Sequence, residues 1–139
     1  MSLTDLDHVG IACDDLEAEV DRFRRLFGQE PTHREVVAEQ GVEEVFFAVG
    51  SSCVQLLGAL GPDTPVGRFL AKRGPGLHHL AYRVDDVEAT LARMVAEGAE
   101  PIDATPRSGS RGTRIAFLQP RSTGGVLVEL VELVEAGGR

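Results

Sequence analysis

Two short stretches place histidine in matching surroundings: LDHVGIACDDLEA at residues 6–18 and LHHLAYRVDDVEA at residues 77–89. At an offset of 71 positions, Leu6, His8, Asp14, Asp15, Glu17 and Ala18 recur as Leu77, His79, Asp85, Asp86, Glu88 and Ala89. A second pair lies downstream, where VQLL carries Gln55 and VELV carries Glu129. Two imidazole nitrogens and two oxygens suit a divalent ion in octahedral geometry, with two positions left for water or substrate. A lone strand histidine is more often packed or solvated than a ligand, and a lone Gln or Glu between apolar neighbours usually faces water. Four such positions in register favour the metal reading: His8, Gln55, His79 and Glu129.

Strand parity selects among the neighbours, because successive side chains on a strand point to opposite faces. In the first stretch Val9, Ile11 and Cys13 form an apolar core face, which leaves His8, Gly10 and Ala12 on the other. In the second, Leu80, Tyr82 and Val84 match the core face, so His79, Ala81 and Arg83 match the face of His8. His78 then corresponds to Asp7 and is not the partner of His8. Val54 and Leu56 put Gln55 on the histidine face, as Val128 and Leu130 do for Glu129. In EEVFFAVG, Val45, Phe47 and Val49 claim the core, so Glu44 rather than Glu43 shares the other face with Phe46 and Ala48. A carboxylate there is an acid–base candidate. The apolar flank of Phe46 would raise its pKa, and a nearby cation would lower it.

The elements that must hold these residues repeat as well. Each copy reads as a strand (6–13 and 77–84), then a helix opened by Asp14-Asp15 or Asp85-Asp86. An Asp there accepts bonds from the first free N–H groups. Leu16, Val20, Phe23 and Phe27 recur at helical spacing, as do Val87, Leu91, Met94 and Val95. Gly28 and Gly98 stop the two helices. Strands are expected at about 34–38, 43–49 and 52–58, and again at about 101–104, 113–118 and 126–133. The result is βαβββ twice, an α+β chain with module one at about 5–58, a Gly/Pro-rich linker at about 59–76 and module two at about 77–133. One or two helical turns are expected in VGRFLAK of the linker. The whole, residues 1–139, is expected to be a single domain.

Charge and composition narrow the function. A net charge of −8 argues against nucleic acid as a partner. Residues 64–84 and 104–128 nevertheless contain Arg68, Lys72, Arg73, Arg83, Arg107, Arg111, Arg114 and Arg121 and no acid. Such stretches could grip a small anion such as a phosphorylated cofactor, or could be solvated loop arginines. By parity Arg114 is expected on the histidine face, where it could hold a carboxylate. No apolar run has membrane length, and the first residues lack a basic-then-apolar leader, so the expected location is the cytoplasm, away from membranes. Cys13 and Cys53 make no framework and are expected to be buried thiols.

With these features in view, the sequence resembles the methylmalonyl-CoA epimerases of the vicinal oxygen chelate superfamily, which also includes glyoxalase I and extradiol dioxygenases. The likeness runs from DHVGIA (7–12) to GGVLVELVE (124–132) and is most specific in EQGVEE (39–44), DTPVGRFLAKRGPGLHHLAYRVDD (63–86) and PRSGSRGTRIAFLQPRSTGGVLVELVE (106–132). It implies a curved mixed sheet of paired βαβββ modules around a metal-containing cavity. Carried over by position, the metal ligands match His8, Gln55, His79 and Glu129, and the proposed catalytic carboxylate matches Glu44. Gln119 stands where the family often has His, and Arg121 where it often has Lys.

The resemblance implies interconversion of the 2R and 2S forms of methylmalonyl-CoA by proton transfer at C2. The implied cofactor is one divalent ion per chain, cobalt(II) first, with manganese, nickel, zinc or magnesium as alternatives, acting as a Lewis acid toward an enolate. Inversion needs two acid–base groups or one mobile group. Glu44 is one, and Glu129 is the family's proposed second, although a carboxylate holding a metal is a poorer base. Arg68, Lys72, Arg107 and Arg121 become candidates for the CoA phosphates. A homodimer is expected, since superfamily members commonly pair through their sheets. Glyoxalase I typically has Glu where Gln55 stands, so the neutral ligand favours the epimerase. Metal-free binding proteins of the same fold generally lack the ligand set.

Overall fold

The computed structural model describes residues 3–134, which fall into two compact units. One comprises residues 8–78 and the other residues 79–134 with residues 3–7. Two strands, β1 (Leu3–Cys13) and β5 (Gly76–Val84), run from one unit into the other. The chain passes between units at Asp7–His8 and at His78–His79, so each predicted ligand histidine stands at a crossing.

The first unit adds α1 (Leu16–Phe27), β2 (His33–Val37), β3 (Val42–Val49), β4 (Ser52–Ala59) and α2 (Pro65–Arg73). Its strand order is β2-β3-β4-β1, with β1 parallel to β4 and the other neighbours antiparallel. The second of the paired aspartates begins α1: the Asp15 carboxylate accepts the N–H of Ala18 at 3.1 Å. Glu17 and Glu19 in the first turn and Arg24 and Arg25 in the last complement the helix dipole, and Gly28 ends it at φ 66°. Val20, Leu16 and Phe23 then pack on Cys13, Val45, Phe47 and Leu56, with Phe23 stacked 4.1 Å from Phe47. This is the apolar face that parity assigns.

The linker is more structured than its glycines suggest. Thr64 accepts the N–H of Gly67 at 3.0 Å, Pro65 supplies a preset first turn, and nine residues follow as α2. Its Val66, Phe69 and Leu70 cover Ala12, Val42 and Leu57, which lie on the face opposite α1. Both faces of this sheet are therefore partly covered, and the site residues share their face with α2. Gly67 permits the approach, because a Cβ there would lie 2.2 Å from the carbonyl oxygen of Gly61.

The second unit contains α3 (Val87–Ala96), β6 (Arg107–Ser108), β7 (Thr113–Leu118) and β8 (Val128–Leu133), in the strand order β5-β8-β7-β6. Strands β5 and β8 are parallel. Asp86 repeats the role of Asp15, accepting the N–H of Ala89 at 3.0 Å. Val87, Leu91 and Met94 pack on Val84, Ala116, Leu118 and Leu130. The strand expected at 101–104 does not form. Pro101 lacks an N–H and makes a lone bridge to Leu118, while the Asp103 carboxylate takes the Phe117 N–H at 2.9 Å. Only the two-residue β6 pairs with β7 there.

Cys13 and Cys53 form no disulfide. Cys13 is buried, and burial pushes its thiol up to about 11. Cys53 is only half-buried, so the expectation of two buried thiols fails at that position. Among the described residues no helix is long and apolar enough to cross a membrane.

Candidate active site

Within the first unit, β1 and β4 run side by side with His8 opposite Cys53 and Gly10 opposite Gln55. Antiparallel β3 brings Phe46 opposite Gln55 and Glu44 opposite Leu57. His8, Gln55 and Glu44 thus lie on one face, and all three are buried at 2%, 2% and 3% exposure. The Phe46 ring meets the His8 imidazole edge-on at 5.8 Å and limits its orientation. The amide oxygen Oε1 of Gln55 is buried and accepts no hydrogen bond. Such an oxygen costs about 1–3 kcal/mol unless something electropositive meets it. A cation would meet that demand, so the donor fits a metal.

The second unit repeats this arrangement. β8 sets Glu129 opposite Ala81 on β5 and opposite Phe117 on β7. His79 Nε2 lies 3.1 Å from Glu129 Oε1, and both side chains are buried. Phe117 meets the His79 ring edge-on at 5.6 Å. Phe46 and Phe117 are themselves 71 positions apart, so the repeat carries an aromatic wall for each histidine as well as the ligands. The sequence reading missed both roles, although the common offset was visible. Nitrogen and oxygen donors alternate here between a neutral amide and a carboxylate, which suits a divalent ion of intermediate softness.

A buried ionic cluster was also missed. Asp7, fully buried and adjacent to His8 in the chain, pairs with Arg83 Nη2 at 2.8 Å and Arg111 Nη2 at 2.6 Å. Arg111 occupies the left-handed backbone region at φ 57° inside the turn Ser110–Gly112. Its bond to Asp7 ties that turn to β1. A buried carboxylate requires such partners, so removing both arginines would leave its charge uncompensated. Arg83 also reaches Asp5 at 3.5 Å.

The remaining basic candidates are dispersed. Arg68 donates to the backbone oxygen of Asp63, Arg107 pairs with Asp103 at 3.0 Å, and exposed Arg121 pairs with Glu100. Lys72 is exposed on α2. Arg114 corrects an expectation: it shares its face of β7 with Ala116 and Leu118, which pack on α3, and its guanidinium lies 3.9 Å from Glu88 of that helix. Thr113, Ile115 and Phe117 take the histidine side. Ile115 and Phe117 pack with Ala81, and Phe117 touches His79.

Comparison with known proteins gives the family. The profile of the glyoxalase/bleomycin resistance protein/dioxygenase superfamily matches residues 7–117. A Bacillus subtilis protein named only as uncharacterised is 40% identical over 91% of each chain. The mitochondrial methylmalonyl-CoA epimerase of Dictyostelium discoideum is 36% identical over 91% of this chain and 77% of its own. A solved Streptomyces coelicolor methylmalonyl-CoA epimerase variant, in complex with 2-nitronate-propionyl-CoA, superposes with a TM-score of 0.94. It is 43% identical, covering 96% of this chain and 100% of that one. The chain belongs to the glyoxalase/bleomycin resistance protein/dioxygenase superfamily and, within it, to the methylmalonyl-CoA epimerase family.

Proposed function

We propose that this protein interconverts the 2R and 2S forms of methylmalonyl-CoA by proton transfer at C2. The observation that carries the reading is a duplicated buried pair, His8 with Gln55 and His79 with Glu129, in a chain of the epimerase family. Acceptance of one family profile across residues 7–117 supports treating both modules as one functional domain. His8, Gln55, His79 and Glu129 would together hold one divalent ion, cobalt(II) by family likeness. When bound, such an ion supplies Lewis-acid stabilisation of the negative charge that C2 deprotonation sends onto the substrate oxygens.

The chain's own residues handle the proton. Glu44 is buried beside Phe46 on the face it shares with Gln55, where it is the candidate base toward a weakly acidic C–H. It removes or returns the proton on one face of C2. Glu129 is the candidate for the opposite face, and its contact with His79 at 3.1 Å orients it. His8 and His79, each braced by a phenylalanine, present fixed nitrogens rather than mobile ones. Arg68, Lys72, Arg107 and Arg121 are the candidates for the CoA phosphates. We further read the protein as a cytoplasmic homodimer.

Incubating one methylmalonyl-CoA epimer with the protein in deuterium oxide tests the reaction. Inversion with deuterium gain at C2 is expected. An epimer recovered unlabelled and unchanged from metal-replete protein would overturn the assignment. Light scattering at micromolar concentration tests the dimer, and a monomer mass would defeat it.

A further inference from the structure

The reaction leaves Glu44 with a problem of supply. Each inversion changes its protonation state, and at 3% exposure it has little direct access to water. The neighbouring strand offers an outlet. In the antiparallel pairing of β2 with β3, Glu35 lies directly opposite Glu44 and His33 directly opposite Phe46. Residues opposite one another in such a pair point to the same face with Cβ atoms about 5 Å apart. His33 Nε2 and Glu35 Oε1 are 2.8 Å apart, and the two side chains are 39% and 35% exposed. The His33 ring also contacts Phe46 at 5.8 Å. β2 stands at the end of the first unit's strand order, so among the described residues no strand neighbours its outer edge.

The neighbouring charges sharpen this. Arg34, between His33 and Glu35 on the strand, points to the other face and pairs with Glu43 of β3 at 2.7 Å and with Glu17 of α1. On the near face, the register sets Glu35 of β2 opposite Glu44 and His33 opposite Phe46 of β3. Two carboxylates directly across a sheet repel unless they share a proton or face a cation. Sharing a proton is what a relay requires.

Building on the epimerase reading, we propose that Glu35 and His33 form the route by which Glu44 exchanges its proton with solvent between turnovers. The Glu44 O–H bond breaks as Glu35 gains the proton. Glu35 passes it to His33 Nε2, and the imidazolium releases the proton on its other nitrogen to water. Charge and protons balance at each transfer, and reversal of the sequence recharges Glu44. Neither residue touches substrate; both act through Glu44.

The test compares unmodified protein, Glu35→Gln, His33→Gln, Glu35→Asp and the control Glu39→Gln, which changes an exposed carboxylate. Single-turnover inversion with excess enzyme reads the chemistry at Glu44, and steady-state kcat at saturating substrate adds proton exchange. Glu35→Gln and His33→Gln should lower kcat and KM together about tenfold, leave kcat/KM and the single-turnover rate near normal, and regain kcat in imidazole buffer. Glu35→Asp should recover part of the loss, and Glu39→Gln should match the unmodified chain. An unchanged kcat overturns the relay, as does a single-turnover rate that falls as far as kcat, since that would make Glu35 a structural support. Absence of inversion by the unmodified chain would instead defeat the epimerase reading.

Discussion

The two modules hold the same half-site with different equipment. Each presents a histidine, an oxygen-bearing side chain (the amide of Gln55 in one, the carboxyl of Glu129 in the other) and a phenylalanine against the ring. Yet 71 positions beyond Glu44 stands Ile115, buried with Ala81, Val131 and Phe117. Beyond Glu35 stands Pro106, before the two-residue β6. Module one therefore carries a buried carboxylate, Glu44, and the five-residue β2 beside it. Module two instead carries the acidic Glu129, and its Arg83 and Arg111 hold Asp7 of the first strand. On the proposed reading, duplication supplies the paired ligands, and divergence sets a different acid–base candidate in each half, Glu44 in one and Glu129 in the other. An epimerase needs both outcomes, because its metal can be shared but its two proton positions must differ.

The largest expected effect breaks the ligand symmetry. His79→Ala should abolish metal binding and inversion, whereas His78→Ala, whose ring packs on Phe69 at 4.9 Å, should keep its metal. Elemental analysis beside the inversion assay decides it. Metal lost from His78→Ala but kept by His79→Ala would reverse the face assignment.

Next comes Glu44, the carboxylate whose repeat position in module two is Ile115. Glu44→Gln should lower the inversion rate by about two to four orders of magnitude with the metal still bound. Glu43→Gln is the matched control, since Glu43 pairs with Arg34 on the opposite face. Near-normal inversion by Glu44→Gln would remove Glu44 from the mechanism.

A smaller effect concerns α2, the helix covering the site face of module one. Gly67→Ala should cost about 1–3 kcal/mol in denaturant unfolding, because the added Cβ meets the backbone oxygen of Gly61. Gly61→Ala, where a Cβ meets nothing within 4 Å, should be nearly silent. Equal losses would mean the close approach is not limiting.

The smallest prediction compares Cys13 with its repeat partner Val84, both buried at equivalent positions. Burial raises the folded Cys13 thiol from 9.0 to about 11, so the folded state holds this proton more tightly than the unfolded state. The stability it contributes is complete below pH 9.0 and declines as pH rises toward about 11. Cys13→Val should flatten that alkaline decline in denaturation midpoints. An identical decline in both proteins would place its cause elsewhere.

The ligand face was legible because its strands have one clearly apolar side. Val9, Ile11 and Cys13 leave His8 no alternative face, and Val54 with Leu56 does the same for Gln55. Arg114 was not legible, because both faces of β7 are apolar: Ile115 and Phe117 on one, Ala116 and Leu118 on the other. Periodicity cannot rank two hydrophobic faces. The packing of Ala116 and Leu118 on α3 ranks them.

By itself the sequence determined the duplication, the helix starts at Asp15 and Asp86, and the side of each strand that carries His8, Glu44, Gln55, His79 and Glu129. These follow from local rules, alternation along a strand and capping at a helix end, which neighbouring residues settle among themselves. Tertiary structure alone decided the burial of Asp7, whose partner Arg111 is 104 residues away. It also decided the loss of the 101–104 strand to an Asp103 side chain, and the placement of Glu35 opposite Glu44. Each depends on which distant groups meet. Alternation says which way a side chain points, but strand register and packing decide what it finds there.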